Sequence, residues 1–166
     1  MQGKKYTREE YLHELKLAQK SFENAQTLRF GAGIGLLRET ESRHGFGKLR
    51  KEELQEASKG ASHIIRAAMA LDTSRIMNGQ MMLNNVAKHY IDEYPEMLLL
   101  TIGSYENYCK SHEMEPARAT RYMSKLAEEN RTSPKSPEAI SEESFKKMKS
   151  ELNRIVRNSV RRIVRK

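Results

Sequence analysis

The chain of 166 residues has no tryptophan, one cysteine and four prolines. No apolar run approaches the ~20 residues that a membrane-crossing helix needs. A single cysteine excludes an internal disulfide framework and a cysteine-based zinc cluster, and suits a reducing compartment. The scarcity of proline, together with nearly absent β-branched runs, leaves long uninterrupted stretches that favour helix over strand. The opening residues Met1-Gln2-Gly3-Lys4-Lys5 lead into a charged helix rather than the apolar core of a signal peptide. The expected location is therefore the cytoplasm, the host's if the protein is phage- or plasmid-encoded.

What the chain has in abundance is charge, unevenly placed. Of its 30 basic and 22 acidic residues, nine basic and three acidic fall between Ser141 and Lys166, which leaves the first 140 residues close to neutral. From Arg154 onward Arg154, Arg157, Arg161, Arg162, Arg165 and Lys166 meet no acid at all. A concentrated cationic segment suits a polyanion, because clustered Lys and Arg release counterions condensed on a phosphate backbone.

The Thr7-Arg8-Glu9-Glu10 spacing is that of a capping box. Tyr11, Leu15, Ala18, Phe22, Ala25 and Leu28 then recur at helical steps, predicting a first helix ending near Phe30. Glu39 to Gly47 reads as a loop. A second helix is expected from about Leu49 to Leu71, interrupted near Gly60, with Leu54, Ala57, Ile64, Ile65, Ala68 and Met69 inward. Asp72 or Thr73 is placed to cap a third helix, with Ile76, Met77, Met81, Leu83, Val86, Ala87 and Tyr90 on its buried face and Pro95 as its stop. Glu96 to Ile102 is the most apolar stretch and is assigned to the centre of the core, with Gly103-Ser104 separating it from the next helix. Residues 1–130 thus form an all-α helical body, 131–140 a Ser/Pro linker, and 141–166 an amphipathic basic helix with Phe145, Met148, Leu152, Ile155 or Val156, Val160 and Ile163 along one side.

Between Ser104 and Leu126 a short helix (about Tyr105 to His112), a turn at Glu113-Met114-Glu115 and a second helix from Pro116 follow one another. Cys109 is the small residue at the crossing, Met114 the apolar residue in the turn, and Ala119 the inward residue of the second helix, with Tyr122 or Met123 and Leu126 beside it. Over these 23 or so residues the chain resembles the helix-turn-helix of DNA-binding proteins, with Glu113 where the motif usually carries glycine. The resemblance implies that Ala117, Arg118, Thr120, Arg121, Ser124 and Lys125 face the major groove, where Arg makes bidentate contacts to guanine. Two amphipathic helices joined by a short turn also occur in any helical bundle, and that reading stays open here.

Other features that invite a chemical reading have plainer ones. Gly31-Ala32-Gly33-Ile34-Gly35 follows a helix and lacks the Gly-Lys-Ser/Thr of a phosphate-binding loop, so it reads as a flexible hinge or a close helix contact. The histidines at 13, 44, 63, 89 and 112 have no ligand spacing. Cys109 has no base partner, and the adjacent acids (Glu52-Glu53, Asp92-Glu93, Glu128-Glu129) point to different helix faces. The nine methionines read as gap fillers. Asn130-Arg131-Thr132 matches a glycosylation sequon without any sign of secretion. The expectation is a non-enzymatic nucleic-acid-binding protein without cofactor or metal, probing DNA through the helix-turn-helix-like segment and phosphates through the terminal helix. A homo-oligomer follows if two half-sites are read, as in a phage or plasmid regulator, packaging or maintenance factor. Two alternatives remain: an assembly component or inhibitor whose basic tail docks a protein partner, and an RNA binder acting through the Arg-rich helix. A membrane-surface helix ranks behind these, since the tail has no tryptophan and Phe145 lies far from its arginines.

Overall fold

Thr7 and Glu10 exchange the two hydrogen bonds of a capping box, Thr7 N–H to Glu10 Oε1 at 3.2 Å and Glu10 N–H to Thr7 Oγ1 at 3.1 Å. From that cap the first helix runs as its stripe predicts. The computed structural model describes residues 5–32, 47–131, 156, 157, 160 and 161, with backbone only at 30–32 and 47–51. The described body is all-α, with no strand among the described residues. Its helices are α1 (Arg8–Ala32), α2 (Gly47–Thr73), α3 (Gly79–Glu93), α4 (Pro95–Ser111) and α5 (Arg118–Arg131). None is long and apolar enough to cross a membrane.

α1 and α2 share the most extensive contact in the fold. Both carry runs of fully buried alanines, Ala18 and Ala25 on α1 and Ala57, Ala61, Ala67, Ala68 and Ala70 on α2. Small side chains allow close helix approach, and the apolar volume comes from Leu54, Ile64, Ile65, Leu83, Met97, Leu98 and Ile102 around them. In place of tryptophan the core uses four fully buried tyrosines as clips, each with its hydroxyl satisfied. Tyr11 donates from α1 to the Gly79 carbonyl that begins α3, and burial pushes its hydroxyl up to about 12. Tyr90 on α3 donates to the Ala18 carbonyl on α1 at 2.6 Å, and Tyr94 donates to Glu53 on α2 at 2.7 Å. Tyr105 on α4 reaches the start of α5, as described below.

Several local expectations give way to packing. α2 is not interrupted at Gly60. It passes through that glycine because the Tyr90 hydroxyl occupies the space a Cβ would fill. Helix α3 starts at Gly79 rather than after Asp72 or Thr73, which belong to the end of α2. Its N-cap is Asn78, in the left-handed conformation with φ 58°, a conformation Asn tolerates better than most residues. Met77 precedes the helix and Met81 lies on its outer side, so they are 79% and 59% exposed, while Leu83, Ala87 and Tyr90 are buried as the stripe predicts. α4 continues through Gly103-Ser104, since Leu98, Thr101, Ile102, Tyr105 and Cys109 form one unbroken buried stripe. Loop 39–47 lies outside the described residues except for Gly47, the first residue of α2, and linker 131–140 except for Arg131.

Two charged clusters sit inside this body. Arg29 on α1 is 4% exposed and meets Glu53 of α2 and Glu93 of α3, each at 2.9 Å. Glu14 accepts from His63 Nδ1 at 2.8 Å and lies 3.4 Å from Arg66 Nε. Burial alone pushes the Glu14 carboxyl upward, but the His63 hydrogen bond and the charges of Arg66, His63 and His13 outweigh it and hold the carboxyl below its ordinary 4.5. A depressed carboxyl contributes stability that is present above its unfolded value and lost as pH falls through its folded value. Chemical denaturation from pH 7 down to about 3 should therefore show a shallower acid loss for Glu14→Gln than for the wild type, from a lower plateau at neutral pH.

Candidate nucleic-acid interface

The end of α4 closes tightly. Met114 N–H donates to Cys109 O at 2.8 Å and Glu113 N–H to Lys110 O at 3.4 Å, the paired bonds of a Schellman cap. Glu113 takes the left-handed conformation, φ 53°. The turn thus has the backbone of a glycine position while carrying glutamate, at a cost of about 1 kcal/mol relative to Gly. Glu113→Gly should raise stability by about 0.5–1 kcal/mol in urea titration. An unchanged midpoint would mean the glutamate side chain recovers that cost elsewhere.

The turn is held by long-range polar contacts rather than by Met114, which is 40% exposed and does not lock the two helices. The Tyr105 hydroxyl accepts the Ala117 N–H at 2.9 Å. Asp72, at the end of α2, accepts the Arg118 N–H at 2.9 Å, so a carboxylate 46 residues away caps the positive end of α5. Burial raises both the Tyr105 hydroxyl and the Cys109 thiol, leaving Tyr105 a neutral clip and Cys109 a thiol rather than a reactive thiolate.

These contacts set which side of α5 faces out. Its inward side is Ala117, Thr120, Met123 and Ala127, all buried, with the Thr120 hydroxyl donating to Ala117 O at 2.6 Å. Two of the six groove-facing candidates, Ala117 and Thr120, are therefore enclosed and unavailable to a ligand. The buried stripe is centred on Ala117, Thr120, Met123 and Ala127 rather than on Ala119 and Leu126, both only half-buried. Arg118, Arg121 and Lys125 are exposed at i, i+3 and i+7, hence on one face, and Ser124 is half-buried beside them. Among the described residues none of the three cations is in an ion pair. Of the two residues the sequence offered for the inward side, Met123 is buried and Tyr122 is 56% exposed on the same outer surface. Glu106, Glu128 and Glu129 border Arg121 and Lys125, so the positive face is bounded toward the C-terminal end of α5.

In the tail, Val156 and Val160 are buried and join the body's core, while Arg157 and Arg161 are helical and exposed. The i, i+4 spacing of the two valines and of the two arginines puts apolar and basic residues on different sides of this segment. Arg154, Arg162, Arg165 and Lys166 lie outside the described residues. Among the described residues no group of three or more His, Cys, Asp and Glu is arranged to hold a metal ion. In comparisons with known proteins, no family model, no curated protein and no solved structure matches the chain.

Two contributors to this surface were missed in the sequence. The sequence offers Asp72 as a cap for the third helix, whereas it caps the start of α5, 46 residues away. Tyr122 lies next to the buried Met123, and helical spacing alone allowed either to be inward.

Proposed function

We propose that this is a non-enzymatic DNA-binding protein that presents α5 to duplex DNA, acting as a symmetric oligomer and adding sequence-independent phosphate affinity through its basic tail. The observation that carries the reading is the exposed Arg118, Arg121 and Lys125 on one face of a short helix behind a left-handed turn. Arg at such positions reaches guanine edges or phosphates, and Tyr122 offers a further contact. The burial of Val156 and Val160 against this chain's own core favours phosphate contact by the tail over its docking to another protein, because part of the apolar stripe is already covered.

Fluorescence anisotropy on random and selected duplexes across a salt series tests this. Arg118→Ala and Arg121→Ala should each reduce the log–log salt slope by about 0.9 if they meet phosphate, or relax discrimination by about 1–3 kcal/mol at one base pair if they meet a base. Truncation after Ile140 should weaken binding to all sequences and flatten the salt dependence. Duplex affinity indifferent to all three changes would dispose of the proposal.

A further inference from the structure

A groove of about 770 Å³ runs between the C-terminal half of α4, the end of α5 and the tail, lined among others by Gly103, Tyr108, His112, Arg131, Arg157 and Arg161. Three arginines thus line one concavity. Glu128, the carboxylate in the same lining, is held by Arg131 at 2.7 Å. The aromatic side of the groove is built as well. Tyr108 and His112 stack with ring centroids 4.0 Å apart and planes 15° from parallel. His112 is fixed by a contact of its Nδ1 with Tyr108 O at 2.9 Å and remains exposed.

Gly103 supplies an independent observation. A glycine inside a helix costs about 0.5–1 kcal/mol relative to alanine, and here no neighbour requires it, since nothing lies within 4 Å of where its Cβ would be. Its effect is to leave the groove floor open and the α4 backbone approachable.

We infer that this groove binds an unpaired segment of nucleic acid, with one base laid against the Tyr108–His112 stack and flanking phosphates on Arg157 and Arg161. The inference rests on the nucleic-acid reading above and adds a second, single-strand subsite to it. The volume falls within the ~300–1,000 Å³ of small-molecule clefts, room for a nucleotide unit and too little for a duplex. An aromatic platform also needs a base whose face is free, which duplex bases are not. The groove adjoins the Arg121–Lys125 surface, with which it shares Leu99 and Glu128, and the acids at that border keep the two subsites separate.

The test measures anisotropy of labelled (dT)8 and (rU)8, and separately of duplex DNA, with full-length protein. Arg157→Ala combined with Arg161→Ala changes two exposed residues and should weaken single-strand binding about tenfold or more while reducing its salt slope by about 1.4. His112→Ala should weaken it by about fivefold or more through lost stacking. Gly103→Leu should abolish it by filling the groove, with circular dichroism as the check on folding. Duplex binding that depends on Arg118 and Arg121 should survive His112→Ala and Gly103→Leu. Single-strand binding unchanged in the arginine and histidine variants overturns the groove assignment while leaving the α5 reading intact. Absence of any nucleic-acid binding by the wild type overturns both. A preference between the two oligonucleotides reports whether the 2′-hydroxyl is read.

Discussion

Gly60→Ala should destabilise the protein by about 2–4 kcal/mol, although alanine is the better helix former by about 1 kcal/mol. The added Cβ would fall well inside contact distance of the Tyr90 hydroxyl, 2.5 Å from its ring Cζ and 3.0 Å from Cε1. Tyr90 cannot step aside cheaply. It is fully buried, its hydroxyl is committed to Ala18 O at 2.6 Å, and Phe22 packs edge-on to its ring at 5.6 Å. Relief requires either separating α2 from α3 or breaking a buried hydrogen bond, each of order 1–3 kcal/mol. Urea unfolding followed by circular dichroism measures the loss. Tyr90→Leu is destabilising by itself, but adding Gly60→Ala to it should cost little or even stabilise, because the clashing hydroxyl is gone. Strictly additive effects would show that the glycine is kept for some other reason.

Arg29→Met should cost about 3–5 kcal/mol, the usual penalty for removing one partner of a buried ion pair. Arg29 joins three helices through Glu53 and Glu93, and its guanidinium also lies 4.8 Å from the centre of the Tyr94 ring. Without it the Glu53 carboxylate, 2% exposed, keeps the Tyr94 hydroxyl but loses the Arg29 guanidinium. Glu93 is 38% exposed and can be solvated, so the penalty concentrates on Glu53. Arg29→Met with Glu53→Leu should therefore recover part of the loss, since apolar replacement of a whole buried pair is often close to neutral. The pair then acts as a device for helix register more than for stability. A double variant no better than Arg29→Met would assign the main cost to lost packing of the arginine stem.

The legible parts of the fold share a cause. The Thr7–Glu10 box and the Tyr11-to-Ala25 stripe were readable because both ends of each interaction lie within a few residues of one another. Pro95 was readable for the same reason: it both ends α3 and starts α4. The starts of α3 and α5 were not, because each is set by a partner far along the chain. Tyr11 meets Gly79 across 68 residues and Asp72 caps Arg118 across 46. Which side of α5 faces in is set by docking on the other helices, and that docking puts Ala117 and Thr120, predicted to face the groove, in the interior.

The amino-acid sequence by itself determined an all-helical body, the concentration of positive charge at its end and the place of the turn between α4 and α5. These follow from spacing, capping and composition, which act locally. Only the tertiary structure decided that glutamate would hold a left-handed turn, that Gly60 would admit a tyrosine, and that Ala117 and Thr120 would be enclosed while Arg118, Arg121 and Lys125 stayed outward on α5. Those outcomes depend on which side chains arrive from other helices, and helical periodicity carries no information about its partners.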